Sequence, residues 1–180
     1  MNKAIFLDRD GVINHAIVKD GKPYPPISLK DFKIIDGVKE SLDLLKASNF
    51  FLIIVSNQPD VARGIIPKKE VIIINSFLHK NLPIDEILTC YHDDSDFCEC
   101  RKPKPGSLFN AAVQLNLDLK KCYMVGDRWR DIEAGRSAGC KTIFIDYNYK
   151  EKQPDFYDFR ALNLIEAAKF ILGDFYYEKD

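Results

Sequence analysis

Four short apolar runs constrain this chain more than any other feature: Lys3–Leu7, Phe50–Val55, Cys122–Val125 and Thr142–Ile145. Each is strand-length and too short for a helix. None alternates apolar with polar, the pattern of strands covered on both faces. Helical spacing fills the gaps. Val38, Leu42 and Leu45 share one face of Gly37–Ser48, and Ser107–Leu115 and Asp131–Ala138 follow the same rhythm, the latter stopped by Gly139. A closing helix over Leu162–Leu172 carries Leu162, Ile165, Ala168 and Leu172 on one stripe. Residues 68–81 predict a helix, although Val71–Ile74 is a β-branched run that pulls towards a strand. Ile84–Thr89 reads as a short strand, and 11–35 as irregular because Gly21, Pro23, Pro25 and Pro26 interrupt it. Strands alternating with helices predict an α/β fold, a doubly wound, mostly parallel sheet with helices on both faces. No gap has room for a separate cap domain, so residues 1–180 are expected to form one domain with a metal-binding loop at 90–100.

Composition narrows the function classes. The 26 basic and 27 acidic residues nearly cancel, and no basic stripe interleaved with aromatics is visible, so no nucleic acid is expected. No run approaches the roughly 20 apolar residues of a membrane span, and the four-residue run before Asp8 is too short for a signal peptide. A cytoplasmic monomer is the expectation. The aromatic tail Phe175-Tyr176-Tyr177 offers surface to pack back or to meet a partner.

In sheets of this kind ligands bind beyond the carboxyl ends of the strands. Asp8, Ser56 and Asp127 each follow a predicted strand, so three polar signals converge on one edge. Around the first stands Asp8-Arg9-Asp10-Gly11-Val12: two carboxylates two residues apart after a strand, one placed to attack and one to handle protons if the chain turns there.

Four segments in order, Phe6–Asn14, Ser56-Asn57-Gln58, Arg101-Lys102-Pro103-Lys104-Pro105 and Gly126–Asp131, together resemble the motifs of haloacid dehalogenase phosphatases. The resemblance implies a phosphomonoester hydrolase that works through an aspartyl phosphate on Asp8. Asp10 would be the acid and then the base. Ser56 and the Asn57 backbone would hold phosphoryl oxygens, and Lys102 would stabilise charge. A catalytic Mg²⁺ would take the Asp8 carboxylate, the Asp10 carbonyl and Asp127, with Asp131 ligating or orienting. Charge agrees with this: two carboxylates and a phosphate dianion repel unless a divalent cation and a lysine offset them.

Cys90, His92, Cys98 and Cys100 fall within eleven residues, immediately before Arg101-Lys102. Three thiolates and an imidazole form a closed tetrahedral set suited to structural Zn²⁺. Cys122 and Cys140 sit in apolar contexts and read as core residues. A zinc loop before the third motif resembles two branches of the family, one acting on heptose 1,7-bisphosphate and one on histidinol phosphate. Ala62-Arg63-Gly64 resembles the first branch. The five residues between His92 and Cys98 resemble the second, and Pro59-Asp60 departs from the first. The sugar bisphosphate is the expected substrate, with Arg63, Arg101 and Arg128 contacting its second phosphate or its hydroxyls. Histidinol phosphate, a polynucleotide end and a catalytically inactive binding scaffold are the alternatives. The last would lack a nucleophile, base, lysine or metal aspartate, and all are present.

Overall fold

The computed structural model describes residues 1–177, with side chains to residue 173, so the side chains of Phe175, Tyr176 and Tyr177 lie outside the described residues. Six parallel strands form the sheet: β1 (Ala4–Leu7), β4 (Phe51–Asn57), β5 (Glu86–Cys90), β6 (Tyr123–Gly126), β7 (Lys141–Ile145) and β8 (Phe159–Ala161). Their spatial order is β5-β4-β1-β6-β7-β8. The helices are α1 (Val38–Ala47), α2 (Lys68–Asn81), α3 (Gly106–Leu115), α4 (Trp129–Ala138) and α5 (Leu164–Tyr177). This is the doubly wound architecture expected, with every pairing of the main sheet parallel.

The central strand β1 is apolar throughout, and β4 is apolar from Phe51 to Val55, because both faces are covered. In β1, Ile5 and Leu7 enter a core with Leu42, Leu45, Ile74, Leu78, Ala167 and Ile171, from α1, α2 and α5. Ala4 and Phe6 point the other way, into a core with Leu108, Ala111 and Ala138 from α3 and α4. Each large buried side chain contributes about 1.5–3 kcal/mol relative to exposure. The β-branched run in α2 is helical because Val71, Ile74 and Leu78 form one buried stripe, while Ile72 and Ile73 face outwards. Burial along one helix face outweighs the propensity of those residues for strands.

The sheet runs outwards in both directions from β1, to β4 on one side and β6 on the other. That switch point opens a crevice at the carboxyl ends of β1 and β6, where Asp8 and Asp127 stand. Two elements differ from expectation. Residues 11–35 are not wholly irregular: Ile17–Lys19 (β2) and Lys22–Tyr24 (β3) pair as an antiparallel hairpin, a flap beside the crevice. Asp20 and Gly21 form its two-residue turn, both with positive φ (51° and 79°), the geometry that matches strand twist. The strand β8 went unpredicted because three residues carry too little pattern; its pairing with β7 makes it a strand.

Candidate active site

Asp8 is the first residue past β1, and its amide donates to the Val125 carbonyl of β6 at 2.9 Å, which extends the sheet pairing to the site. The Lys102 ammonium, 1% exposed, is 2.8 Å from Asp8 Oδ1, 2.6 Å from Asp131 Oδ1 and 2.6 Å from the Val55 carbonyl. Those three acceptors match its three N–H groups. Burial opposes the charged ammonium, but the charges of Asp131 and Asp8 outweigh it and raise the Lys102 pKa. For Asp8, burial and then the Asp131 charge dominate over Lys102, and its pKa rises to about 6.

Asp127 and Asp131 differ in a way no sequence distance reveals. Asp131 is occupied at both oxygens: Oδ1 accepts from Lys102, and Oδ2 accepts from the Arg128 amide at 3.0 Å, capping α4. Asp127 is 1% exposed, yet neither of its carboxylate oxygens accepts a well-formed hydrogen bond. Burial first, then Asp8 and Asp131, push its pKa well up, while the nearby Tyr149 hydroxyl acts the other way. Carboxylate oxygens of Asp8, Asp127 and Asp131 lie within 4.8 Å of one another. A buried carboxylate with so little hydrogen bonding, beside a second one, is costly unless a cation joins them. Hard oxygen donors suit a hard divalent cation.

Two glycines permit this packing. A Cβ on Gly11, which has φ +95°, would lie 1.9 Å from Asp127 Oδ2, and one on Gly126 would lie 2.1 Å from Asp131 Cβ. Any side chain at either position would push a carboxylate off the crevice.

The like charges give a test. In the unfolded chain Asp8 and Asp127 lose their protons near the ordinary carboxylate pKa; in the folded, metal-free protein they hold them to higher pH. The unfolded state therefore binds fewer protons in that window, and metal-free protein is expected to lose stability as pH rises from about 4 through 6. Asp127→Asn is expected to raise the metal-free melting temperature by roughly 2–6 °C while abolishing stabilisation by added divalent cation. Differential scanning calorimetry with and without chelator reads both; a lower metal-free melting temperature in the variant would show that repulsion does not dominate.

Asp10 is held by three side chains. The Arg9 guanidinium, fully buried, donates to it at 3.1–3.3 Å, Asn14 Nδ2 at 2.9 Å and Gln58 Nε2 at 2.8 Å. Arg9 also reaches Asn75 on α2, which donates to Thr89 on β5. Gln58 donates to the Ser56 hydroxyl at 2.8 Å as well, leaving that hydroxyl's own proton for another acceptor. The sequence reading assigned Arg9 and Gln58 no role; their only signal was a place inside two motifs. The Asn57 side chain does not face the crevice as a free group. Its Nδ2 donates to the Lys102 carbonyl and its Oδ1 accepts from the Lys102 amide, at 2.9 and 3.1 Å, so it ties β4 to the loop that carries the lysine.

Cys90 Sγ, His92 Nδ1, Cys98 Sγ and Cys100 Sγ form a second cluster, with contacts from 3.1 to 3.7 Å. Ligands around a tetrahedral zinc stand roughly 3.5–3.8 Å apart, whereas a disulfide needs about 2.05 Å. All five cysteines are free thiols, and the cluster's spacing fits a shared ion.

The expected substrate arginines all lie near the crevice, but each already has a carboxylate partner. Arg63 pairs with Asp93 at 2.6 Å and Asp60 at 3.1 Å, Arg101 with Asp94 at 2.8 Å, and Arg128 with Glu151. Arg101 keeps one buried nitrogen, Nη1, without a partner. Arg63, Arg101, Arg128, Arg130 and Lys22 line one pocket of about 240 Å³. A smaller pocket holding Asp8, Asp10 and Lys102 shares Arg128, Arg130 and the flap residues Pro23, Tyr24 and Pro25 with it. Arg130, Lys22 and Glu151 were missed in the sequence; only the fold brings them to the rim. Trp129 sits between cations, with Arg130 4.7 Å and Lys152 4.5 Å from its ring.

The profile of the HAD-hydrolase-like family matches residues 99–157. The D-glycero-alpha-D-manno-heptose-1,7-bisphosphate 7-phosphatase of Campylobacter jejuni is 36% identical over 93% of this chain and 95% of its own length. The D-glycero-beta-D-manno-heptose-1,7-bisphosphate 7-phosphatase of Pasteurella multocida is 36% identical over 81% of this chain and 82% of its own. The crystal structure of D,D-heptose 1,7-bisphosphate phosphatase from B. bronchiseptica, complexed with magnesium and phosphate, superposes with a TM-score of 0.82 at 26% identity. That match covers 97% of this chain and 99% of the other.

Proposed function

The chain belongs to the haloacid dehalogenase-like hydrolase family, and on that premise we propose that it is a Mg²⁺-dependent phosphatase that removes the 7-phosphate of D-glycero-D-manno-heptose 1,7-bisphosphate. The observation that carries the substrate is the pocket adjoining the one that holds Asp8, lined by Lys22 and by four arginines that each face a carboxylate, with Asp60 and Asp94 in the same wall. A substrate with one phosphate at Asp8 and a second anionic group some distance away fits that pair of pockets. Histidinol phosphate would bring its ammonium group among the same cations, where the lining carboxylates Asp60 and Asp94 are already paired with arginines.

Asp8 attacks phosphorus and becomes an aspartyl phosphate, while Asp10 gives its proton to the departing sugar oxygen. Asp10 then takes a proton from water, whose oxygen attacks the aspartyl phosphate, and Asp8 leaves as a carboxylate. The Ser56 hydroxyl donates to a phosphoryl oxygen. Lys102 stays charged throughout and offsets charge on Asp8 and on the transferring group. Arg9, Asn14 and Gln58 hold Asp10 in position for both proton transfers. Mg²⁺, held by Asp8, Asp127 and the Asp10 carbonyl with Asp131 orienting the shell, would supply neutralisation of the phosphate dianion. Zn²⁺ on the four-residue cluster is structural and fixes the segment leading to Lys102. The chain acts as one domain and as a monomer in the cytoplasm, on a metabolite rather than a nucleic acid. Among the described residues no helix is long and apolar enough to cross a membrane.

Phosphate release tests the reading. With Mg²⁺, kcat/KM for heptose 1,7-bisphosphate is expected to exceed that for histidinol phosphate and for a 3′-phosphorylated oligonucleotide by roughly 10² or more, since two paired anionic contacts are at stake. Preference for histidinol phosphate would overturn the substrate and leave the chemistry standing.

A further inference from the structure

The pocket beside the catalytic crevice contains a cation, Lys22, whose side chain no other described residue engages. Arg63, Arg101, Arg128 and Arg130 each face a carboxylate, the last at 3.6 Å from Asp94. Lys22 lines the same pocket and has no ion pair or hydrogen bond from its side chain among the described residues. We propose that Lys22, carried on the flap, is a specificity-determining residue that binds the second phosphate of the substrate. The inference rests on the sugar bisphosphate reading above and adds a residue that none of the four motifs contains.

Three observations support it. First, the placement of Lys22 is fixed. The Asp20-Gly21 turn docks on the segment after β7 through the Lys150 amide, which donates to the Gly21 carbonyl at 2.8 Å. Gly21 has φ +79°, and a Cβ there would lie 2.8 Å from the Lys150 side chain, so another residue would strain the turn and displace Lys150. The next residue along that segment, Glu151, is the partner of Arg128. The flap tip and the arginine are thus held by adjacent residues.

Second, the hairpin itself gains nothing from a lysine at this position. Lys22 stands directly opposite Lys19 across β2 and β3, and like charges in that register destabilise a strand pair. Third, the arginines are largely neutralised by Asp60, Asp93, Asp94 and Glu151, so an arriving dianion meets much less free positive charge than the count of arginines suggests. An uncommitted ammonium on a three-residue strand contacts a phosphate without first breaking an ion pair. Lys22 directly precedes Pro23, Tyr24 and Pro25, which line the pocket that holds Asp8.

The experiment compares kcat/KM for heptose 1,7-bisphosphate with that for heptose 7-phosphate, which lacks only the distal group. In Lys22→Ala the ratio of the two is expected to fall roughly tenfold, mainly through KM for the bisphosphate, the scale of one charge-assisted hydrogen bond at a half-open site. Lys22→Arg should restore most of the ratio, and Lys22→Glu should lower it further. Lys19→Ala, which removes the cross-strand charge outside the pocket, should keep the wild-type ratio. A wild-type ratio in Lys22→Ala, or an equal fall in Lys19→Ala, would overturn the role of Lys22 and leave the bisphosphate reading intact. A wild-type enzyme that turns over both sugars equally would instead remove that reading, and Lys22 with it.

Discussion

Asp8→Asn is expected to reduce phosphate release by roughly 10⁴-fold or more, with the fold retained. The amide oxygen of the asparagine can still accept from Lys102, now 2.8 Å from Asp8 Oδ1, so the local hydrogen bonding survives. What disappears is the proposed nucleophile, because an amide does not attack phosphorus. Stability should hold or rise, since the change also removes one of three buried carboxylates crowded within 4.8 Å. A second readout ties the loss to the covalent step. Wild-type protein quenched in acid during turnover should carry phosphate on the peptide that contains Asp8, and the variant should carry none. Activity above about 1% of wild type in a preparation free of wild-type protein would place the nucleophile elsewhere.

Loss of the cysteine–histidine cluster, the zinc site proposed above, should be nearly as damaging, for a different reason. Cys90 ends β5, and Cys100 lies two residues before Lys102. Between them the chain has only a short 3-10 turn at Asp94–Asp96, and Phe97 is 83% exposed, so no apolar core fixes this segment. An ion bound by four ligands supplies what burial does not, and structural zinc contributes on a scale comparable to the whole stability of a domain. Cys100→Ser is therefore expected to lose zinc, to lower the melting temperature by roughly 10 °C and to reduce activity about 10²-fold or more as Lys102 loses its anchor. Metal content by mass spectrometry, calorimetry and turnover measured on one preparation check all three. A folded, zinc-free and fully active variant would remove the structural role.

The two sites were not equally legible. The cysteine–histidine cluster is local, so its ligand set is visible in eleven residues, and the geometry adds only the spacing of sulfur and nitrogen. The strands β1, β4, β6 and β7 were legible because a parallel strand covered on both faces carries an unbroken apolar run. The flap was legible in principle. Asp20-Gly21 between Ile17-Val18-Lys19 and Lys22-Pro23-Tyr24 is a strong hairpin signal, masked by the prolines that follow it. Glu151 and Tyr149 were not legible, because they reach the crevice only through the path of the chain after β7.

What the sequence determined by itself is the chemistry available: an aspartate pair after the first strand, a lysine, two further aspartates and a thiolate-rich loop, each defined by neighbours in the chain. What only the tertiary structure decided is which of those groups are free. Among the described residues neither Asp127 oxygen accepts a well-formed hydrogen bond while Asp131, four residues on, spends both, and four arginines face carboxylates where Lys22 does not. Those distinctions depend on partners such as Lys102 and Glu151 arriving from distant parts of the chain. The periodicity of a strand or helix fixes which face a residue occupies, and packing alone fixes what meets it there.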